Sequence, residues 1–137
     1  MPFHAATRSL VRLLPFAAPL ALGACAQGEP RPAPPPEPAA EVIGEARDCL
    51  PLNSFSSTEI RDDYTIDFLS AGRRNVWRVT LPNRCSGLRA ADTFTYETSL
   101  TRLCRNDIIY PLQRIGNGFQ RAGDCGLAPF VPVKLEK

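Results

Sequence analysis

Three groups of residues carry side chains able to do chemistry, and each implies a different kind. Cys25 stands alone behind Leu22-Gly23-Ala24 at the end of an apolar run. A thiol so placed can become a lipid-bearing thioether when the preceding segment is cut away. Cys49, Cys85, Cys104 and Cys125 are spread over the rest of the chain. Four thiols at long, irregular separations with no C-x-x-C pair fit two disulfides better than a metal site or a redox couple. Asp62-Asp63 and the arginines Arg84, Arg89 and Arg105 form the third group. Adjacent carboxylates can serve acid–base chemistry or a hard cation, and clustered guanidiniums can hold an anion.

What is missing excludes as much. The one histidine, His4, lies in the first few residues. If those residues are removed, Ser-His-Asp and Cys-His catalysis, histidine-ligated zinc and histidine pH switching go with them. No catalytic constellation, metal site or cofactor is expected. Neighbouring residues of a strand point to opposite faces, so Asp62 and Asp63 converge only if the backbone turns there. A turn or strand-edge role is favoured for both, and a cap or turn role for Asp107.

Residues 1–24 read as an export signal. Arg8 and Arg12 make a positive start without an acid, and Leu13 to Leu22 form a short apolar stretch broken by Pro15 and Pro19. That stretch is too short for a membrane-spanning helix, which needs about 20 residues. Leu22-Gly23-Ala24-Cys25 resembles a bacterial lipobox, which makes Cys25 the expected lipidation site and the first residue of the mature chain. Cleavage within the small-x-small run Ala24-Cys25-Ala26 is the competing outcome and leaves a soluble secreted protein. The expected location is an envelope membrane facing the periplasm. The outer membrane is favoured, because Ala26 is not the aspartate that commonly signals inner-membrane retention.

The chain has 16 basic and 14 acidic residues. Losing Arg8 and Arg12 leaves 14 of each, so no polyanion-seeking field remains and a general nucleic-acid role is not expected. Residues 25–47 then form a linker. Pro30, Pro32, Pro34, Pro35, Pro36 and Pro38 crowd it, a composition expected to be disordered, extended and semi-rigid.

Residues 48–137 are expected to form one small all-β domain, an antiparallel barrel or sandwich of about six short strands stapled by two disulfides. Tyr64, Ile66 and Phe68 alternate with Asp63, Thr65 and Asp67, the pattern of a half-buried strand. Ser70-Ala71-Gly72 turns the chain, and Trp77, Val79 and Leu81 alternate with Arg78 and Thr80, so the two runs should pair as a hairpin. Trp77 and Tyr96 are expected to pack the core rather than form an aromatic binding face. Phe94 to Leu100, Ile108 to Ile115, a run resuming at Phe119 and Phe130 to Leu135 supply further strands, with an opening one near Phe55 to Arg61. Pro111 cannot donate to a ladder and is expected at an edge or bend. Leu88 to Asp92 could form one helical turn.

Sequence alone leaves three ways to pair four cysteines. The preferred one joins Cys85 to Cys104 as a local clip and Cys49 to Cys125 across the chain ends. It would also bring Arg84 and Arg105 near one another.

The pieces Cys49-Leu50, Asp62-Asp63-Tyr64-Thr65-Ile66, Cys85-Ser86-Gly87-Leu88, Leu103-Cys104-Arg105-Asn106-Asp107-Ile108-Ile109 and Gly123-Asp124-Cys125-Gly126-Leu127 resemble an uncharacterised bacterial domain family. Its members are small, exported, cysteine-containing proteins, many with lipoprotein signals. The resemblance covers residues 48–137, implies an exported β-rich domain and adds no catalytic residue. The expected function is therefore a non-enzymatic envelope lipoprotein domain with a structural or protein-contact role. The alternative is a binder of an anionic envelope ligand, such as a cell-wall component, through Arg84, Arg89 and Arg105.

Overall fold

The alternation of Ile66 and Phe68 against Trp77 and Val79 produces the central hairpin of the molecule. The computed structural model describes residues 35–36, 38–98 and 100–137. The expected signal segment, Cys25 and most of the proline-rich stretch lie outside these residues. Strands β1 (Ala40–Val42), β2 (Cys49–Pro51), β3 (Ser57–Ile60), β4 (Thr65–Leu69) and β5 (Val76–Thr80) come first. One helical turn, α1 (Leu88–Ala91), separates them from β6 (Phe94–Tyr96), β7 (Arg102–Cys104) and β8 (Ile108–Ile115). The chain closes with β9 (Gly118–Arg121), β10 (Cys125–Gly126) and β11 (Val131–Leu135).

β4 and β5 pair antiparallel with Phe68 opposite Trp77 and Asp67 opposite Arg78. They sit inside a five-stranded sheet of order β1-β11-β5-β4-β3. A second sheet, β10-β8-β6 with β9 also on β8, and a small β2–β7 ribbon complete the strands. All sheets are open, so the architecture is a sandwich and not a closed barrel.

The core between the layers is built on Phe68. Its ring meets Phe55, Phe130 and Phe94 edge-on, at centroid distances of 5.1, 5.2 and 6.3 Å. Edge-to-face contact sets the positive ring edge against a negative face, which adds to the gain from area burial. Leu50, Ile66, Val79, Leu103 and Ile109 are fully buried around it.

Four expectations are corrected. The strand at Tyr64 to Phe68 is not half-buried: every residue of β4 is buried, Asp67 included. The folded body begins before residue 48, because Ala40–Val42 of the proline-rich segment pairs with Val133–Leu135. Pro111 lies within β8 and not at a sheet edge, with Phe94 opposite it on one side and its carbonyl accepting from the Ala122 N–H on the other. Its missing N–H falls where the flanking chain leaves the ladder, between the end of β9 at Arg121 and the start of β10 at Cys125.

The fourth is the disulfide pairing. The bonds join Cys49 to Cys104 and Cys85 to Cys125, not Cys85 to Cys104 and Cys49 to Cys125. The reason is strand pairing. β2 lies antiparallel to β7 with Cys49 directly opposite Cys104, at a Cα separation of 4.0 Å. Cys85, in the turn before α1, is then left for Cys125 on β10, and their Cα atoms are 5.7 Å apart.

Candidate functional site

Three constellations of polar side chains are assembled by this fold. The first is buried. Asp67 is inaccessible to solvent, and its carboxylate takes a two-pronged contact from Arg78, Nε to Oδ1 at 2.7 Å and Nη2 to Oδ2 at 2.9 Å. Arg61 Nε donates to Oδ2 at 2.7 Å. Arg61 and Arg73 also meet Glu59, and Arg78 Nη2 reaches the Pro38 carbonyl at 3.0 Å. Among the described residues no buried side-chain polar atom lacks a partner. A buried carboxylate with both oxygens taken by guanidinium donors is shielded from substrate, so the cluster is a structural knot. The chain could have announced it: a hairpin closing at Leu69 opposite Val76 must set Asp67 opposite Arg78.

The second constellation contains two of the three candidate arginines. Asp63 Oδ2 accepts from Arg84 Nε at 3.1 Å and Nη2 at 2.9 Å, while its Oδ1 accepts from the Arg89 backbone N–H at 3.0 Å. That backbone N–H, and then the Arg84 guanidinium, hold the Asp63 carboxyl below its ordinary value near 3.8. Arg89 donates from its own guanidinium to the Ile60 carbonyl at 3.1 Å. Arg105 has a different partner, Asp48, at 3.3 Å. The disulfides do not tie Arg84 to Arg105, so the covalent link that was to unite these arginines is absent. Asp62 serves a turn and accepts from the Tyr64 N–H at 2.7 Å, and Asp107 accepts from the Cys104 N–H at 2.7 Å. The two adjacent acids therefore have separate partners. Trp77 is buried in the core and Tyr96 packs half-buried against it.

The third constellation is a feature that sequence reasoning passed over. Beyond Leu112 the strands β8 and β9 form a two-stranded ribbon whose tip, Gly116-Asn117, uses a positive φ of 59° at Gly116. Arg114 stands opposite Phe119, and Leu112 opposite Arg121, so these four share a face. Arg114 covers the Phe119 ring at 5.1 Å, and Arg121 covers the Tyr110 ring at 4.4 Å. Arg121 also pairs with Glu97. Beside this face lies a cleft of about 590 Å³ against α1, lined by Ala91, Thr93, Leu112, Gln113, Arg114 and Phe119 among others. Phe119 is 59% exposed, far too open for a core residue. Its signal in the sequence was its place just past a glycine turn, Gly116-Asn117-Gly118.

No family model, curated protein or solved structure matches this chain.

Proposed function

We propose that this protein is a non-enzymatic, exported lipoprotein domain, carried on acylated Cys25 and acting by contact at the cell envelope. One observation supports the reading above the others: the folded body consumes four cysteines in two disulfides and leaves Cys25 as the single unpaired thiol, in Leu22-Gly23-Ala24-Cys25. Disulfides persist in oxidising compartments, and a lone thiol behind an apolar leader is the substrate of lipid attachment. The same reading agrees with the chain's resemblance to a family of small exported cysteine-containing proteins. With Ala26 next to the lipid site, the outer membrane is the assigned destination.

A contact role follows from the state of the carboxylates. The Asp63 and Asp67 carboxylates are each already engaged by guanidiniums of this chain. An anion binding at Arg84, Arg89 and Arg105 would have to displace Asp63, the Ile60 carbonyl and Asp48. That competition disfavours those three arginines as the ligand site.

The test is fractionation of cells expressing the native chain and Cys25→Ser. The native protein is expected in the membrane fraction and released only by detergent. The variant is expected to lose membrane association. A native protein found wholly in the soluble fraction contradicts the anchor.

A further inference from the structure

Residues 113–121 are exposed without a break, so beyond Leu112 the β8–β9 ribbon stands clear of the sandwich. The turn Gly116-Asn117-Gly118 ends it, and two large apolar side chains flank that turn. Ile115 is 58% and Phe119 59% open to solvent. Single exposed apolar residues are ordinary on a protein surface. These two lie on opposite faces of one strand pair. Phe119 stands opposite Arg114, whereas Ile115 stands opposite Gly118, one position further along, so the pleat sends them to different sides. The flat surface of a partner protein covers one face of a ribbon. A fluid apolar medium closes around both. From the Leu112–Arg121 pair to the Ile115–Gly118 pair the ribbon rises about 10 Å. Apolar segments at a membrane surface sink to a similar depth, about 5–10 Å.

The charges around the tip suit the same medium. No Asp or Glu occurs from Ile108 to Gly123, and Arg114 and Arg121 stand behind the turn. Glu97 reaches across to Arg121, which leaves Arg114 as the charge next to the tip. Its guanidinium rests over the Phe119 ring at 5.1 Å, and the ring keeps its exposure with that contact in place. An arginine so placed can lay its stem along an apolar layer and hold its head at a lipid phosphate. Asp92, just past α1, lines the cleft beside Phe119, but Arg89 lies 3.8 Å from it and offsets its charge.

We infer that the tip of the β8–β9 ribbon inserts Ile115 and Phe119 into the headgroup layer of an anionic lipid bilayer, with Arg114 on a lipid phosphate. The choice of a bilayer rests on the envelope reading, which sets a membrane within reach of the domain. The tip then adds a second, non-covalent contact to the one made through Cys25.

The experiment introduces an indole at each apolar position, Ile115→Trp or Phe119→Trp, in the full chain carrying Cys25→Ser. The one native tryptophan, Trp77, is buried and serves as the reference. Vesicles rich in phosphatidylglycerol, with bromine on their acyl chains, quench an indole that touches lipid. Both variants are expected to be quenched and blue-shifted, and the chain without either substitution to stay unquenched. In the Ile115→Trp chain, Arg114→Gln should lower the ratio of quenched to unquenched indole about fivefold, the worth of one cation near an anionic surface. Phe119→Ser should lower it about tenfold through lost apolar burial. All these positions are exposed, so the fold should survive, and an unchanged urea midpoint verifies this. The readout is local to the tip, so lipid contact made by residues 1–24 does not imitate it. The inference is overturned if neither indole is quenched at millimolar anionic lipid, or if vesicles of phosphatidylcholine alone quench equally. Quenching of one indole without the other, as one-sided docking on a protein-like surface would give, overturns it as well. Cys25→Ser is present throughout, so a soluble native product in the fractionation would end the anchor and leave this result standing.

Discussion

The β4–β5 hairpin and the β8–β9 ribbon use the same parts to opposite ends. Both are antiparallel pairs, and in both an arginine meets a carboxylate from another segment of the chain. In the first, Arg78 grips Asp67 where water is excluded. In the second, Arg121 meets Glu97 in the open, with both side chains about half exposed or more. Taking ions out of water is costly unless their polar atoms find partners, and among the described residues no buried side-chain polar atom lacks one. The exposed pair has water on all sides and contributes little. Burial turns one ion pair into a determinant of the fold, while exposure leaves the other face of the sandwich free for contact.

The contrast predicts its own largest effect. Asp67→Ala leaves Arg78 buried without a counter-charge and Arg61 with Glu59 alone, and urea unfolding should show a loss of about 3–5 kcal/mol. Glu97→Ala should cost no more than about 1 kcal/mol in the same assay. Equal effects would erase the distinction. Next come the disulfides. Cys49–Cys104 and Cys85–Cys125 span 55 and 40 residues. On the chain-entropy model, replacing either pair by serine should cost up to about 4 kcal/mol. The two double variants should therefore be similarly destabilised. A pair whose loss leaves the denaturation midpoint unmoved would not be a native bond.

A smaller effect sharpens the comparison at an intermediate site. Asp63 is half-way between the two regions in character, partly exposed yet tied to Arg89 and Arg84. Its folded pKa lies below the unfolded one, so the unfolded chain takes up its proton first as pH falls. The stabilisation is complete above the unfolded value and is lost as pH falls through the lower folded value. Thermal unfolding of the native chain should therefore weaken more steeply than that of Asp63→Asn once pH drops below about 4. Parallel curves would remove Asp63 from the acid response. The smallest effect belongs to the ribbon tip. Ile115→Ser and Phe119→Ser should each change stability by no more than about 0.5 kcal/mol, because these side chains are 58% and 59% exposed.

These differences also mark how far the sequence could be read. The all-β class, the β4–β5 hairpin and the helical turn at Leu88 were legible because local alternation and turn residues encode them. Two disulfides were legible from the count of thiols, but their partners were not. Pairing depends on β2 meeting β7 across 55 residues, and no local pattern carries that information. Asp67 looked solvent-facing because a polar residue on an alternating strand usually is. Its burial is possible only because Arg78 and Arg61 arrive from either side. β1 was hidden by the prolines around it: Ala40–Val42 gains its order from β11 and not from its own composition. The candidate arginines Arg84, Arg89 and Arg105 were chosen by type, and only the structure reveals what each already holds.

The division of the cysteines is best tested by peptide mapping without reduction on protein isolated from cell envelopes. The account predicts a Cys49–Cys104 linked peptide, a Cys85–Cys125 linked peptide and an N-terminal peptide beginning at Cys25 with acyl mass. Free thiols at any of the four body cysteines, a Cys85–Cys104 peptide, or an unmodified N-terminus beyond Cys25 would contradict it.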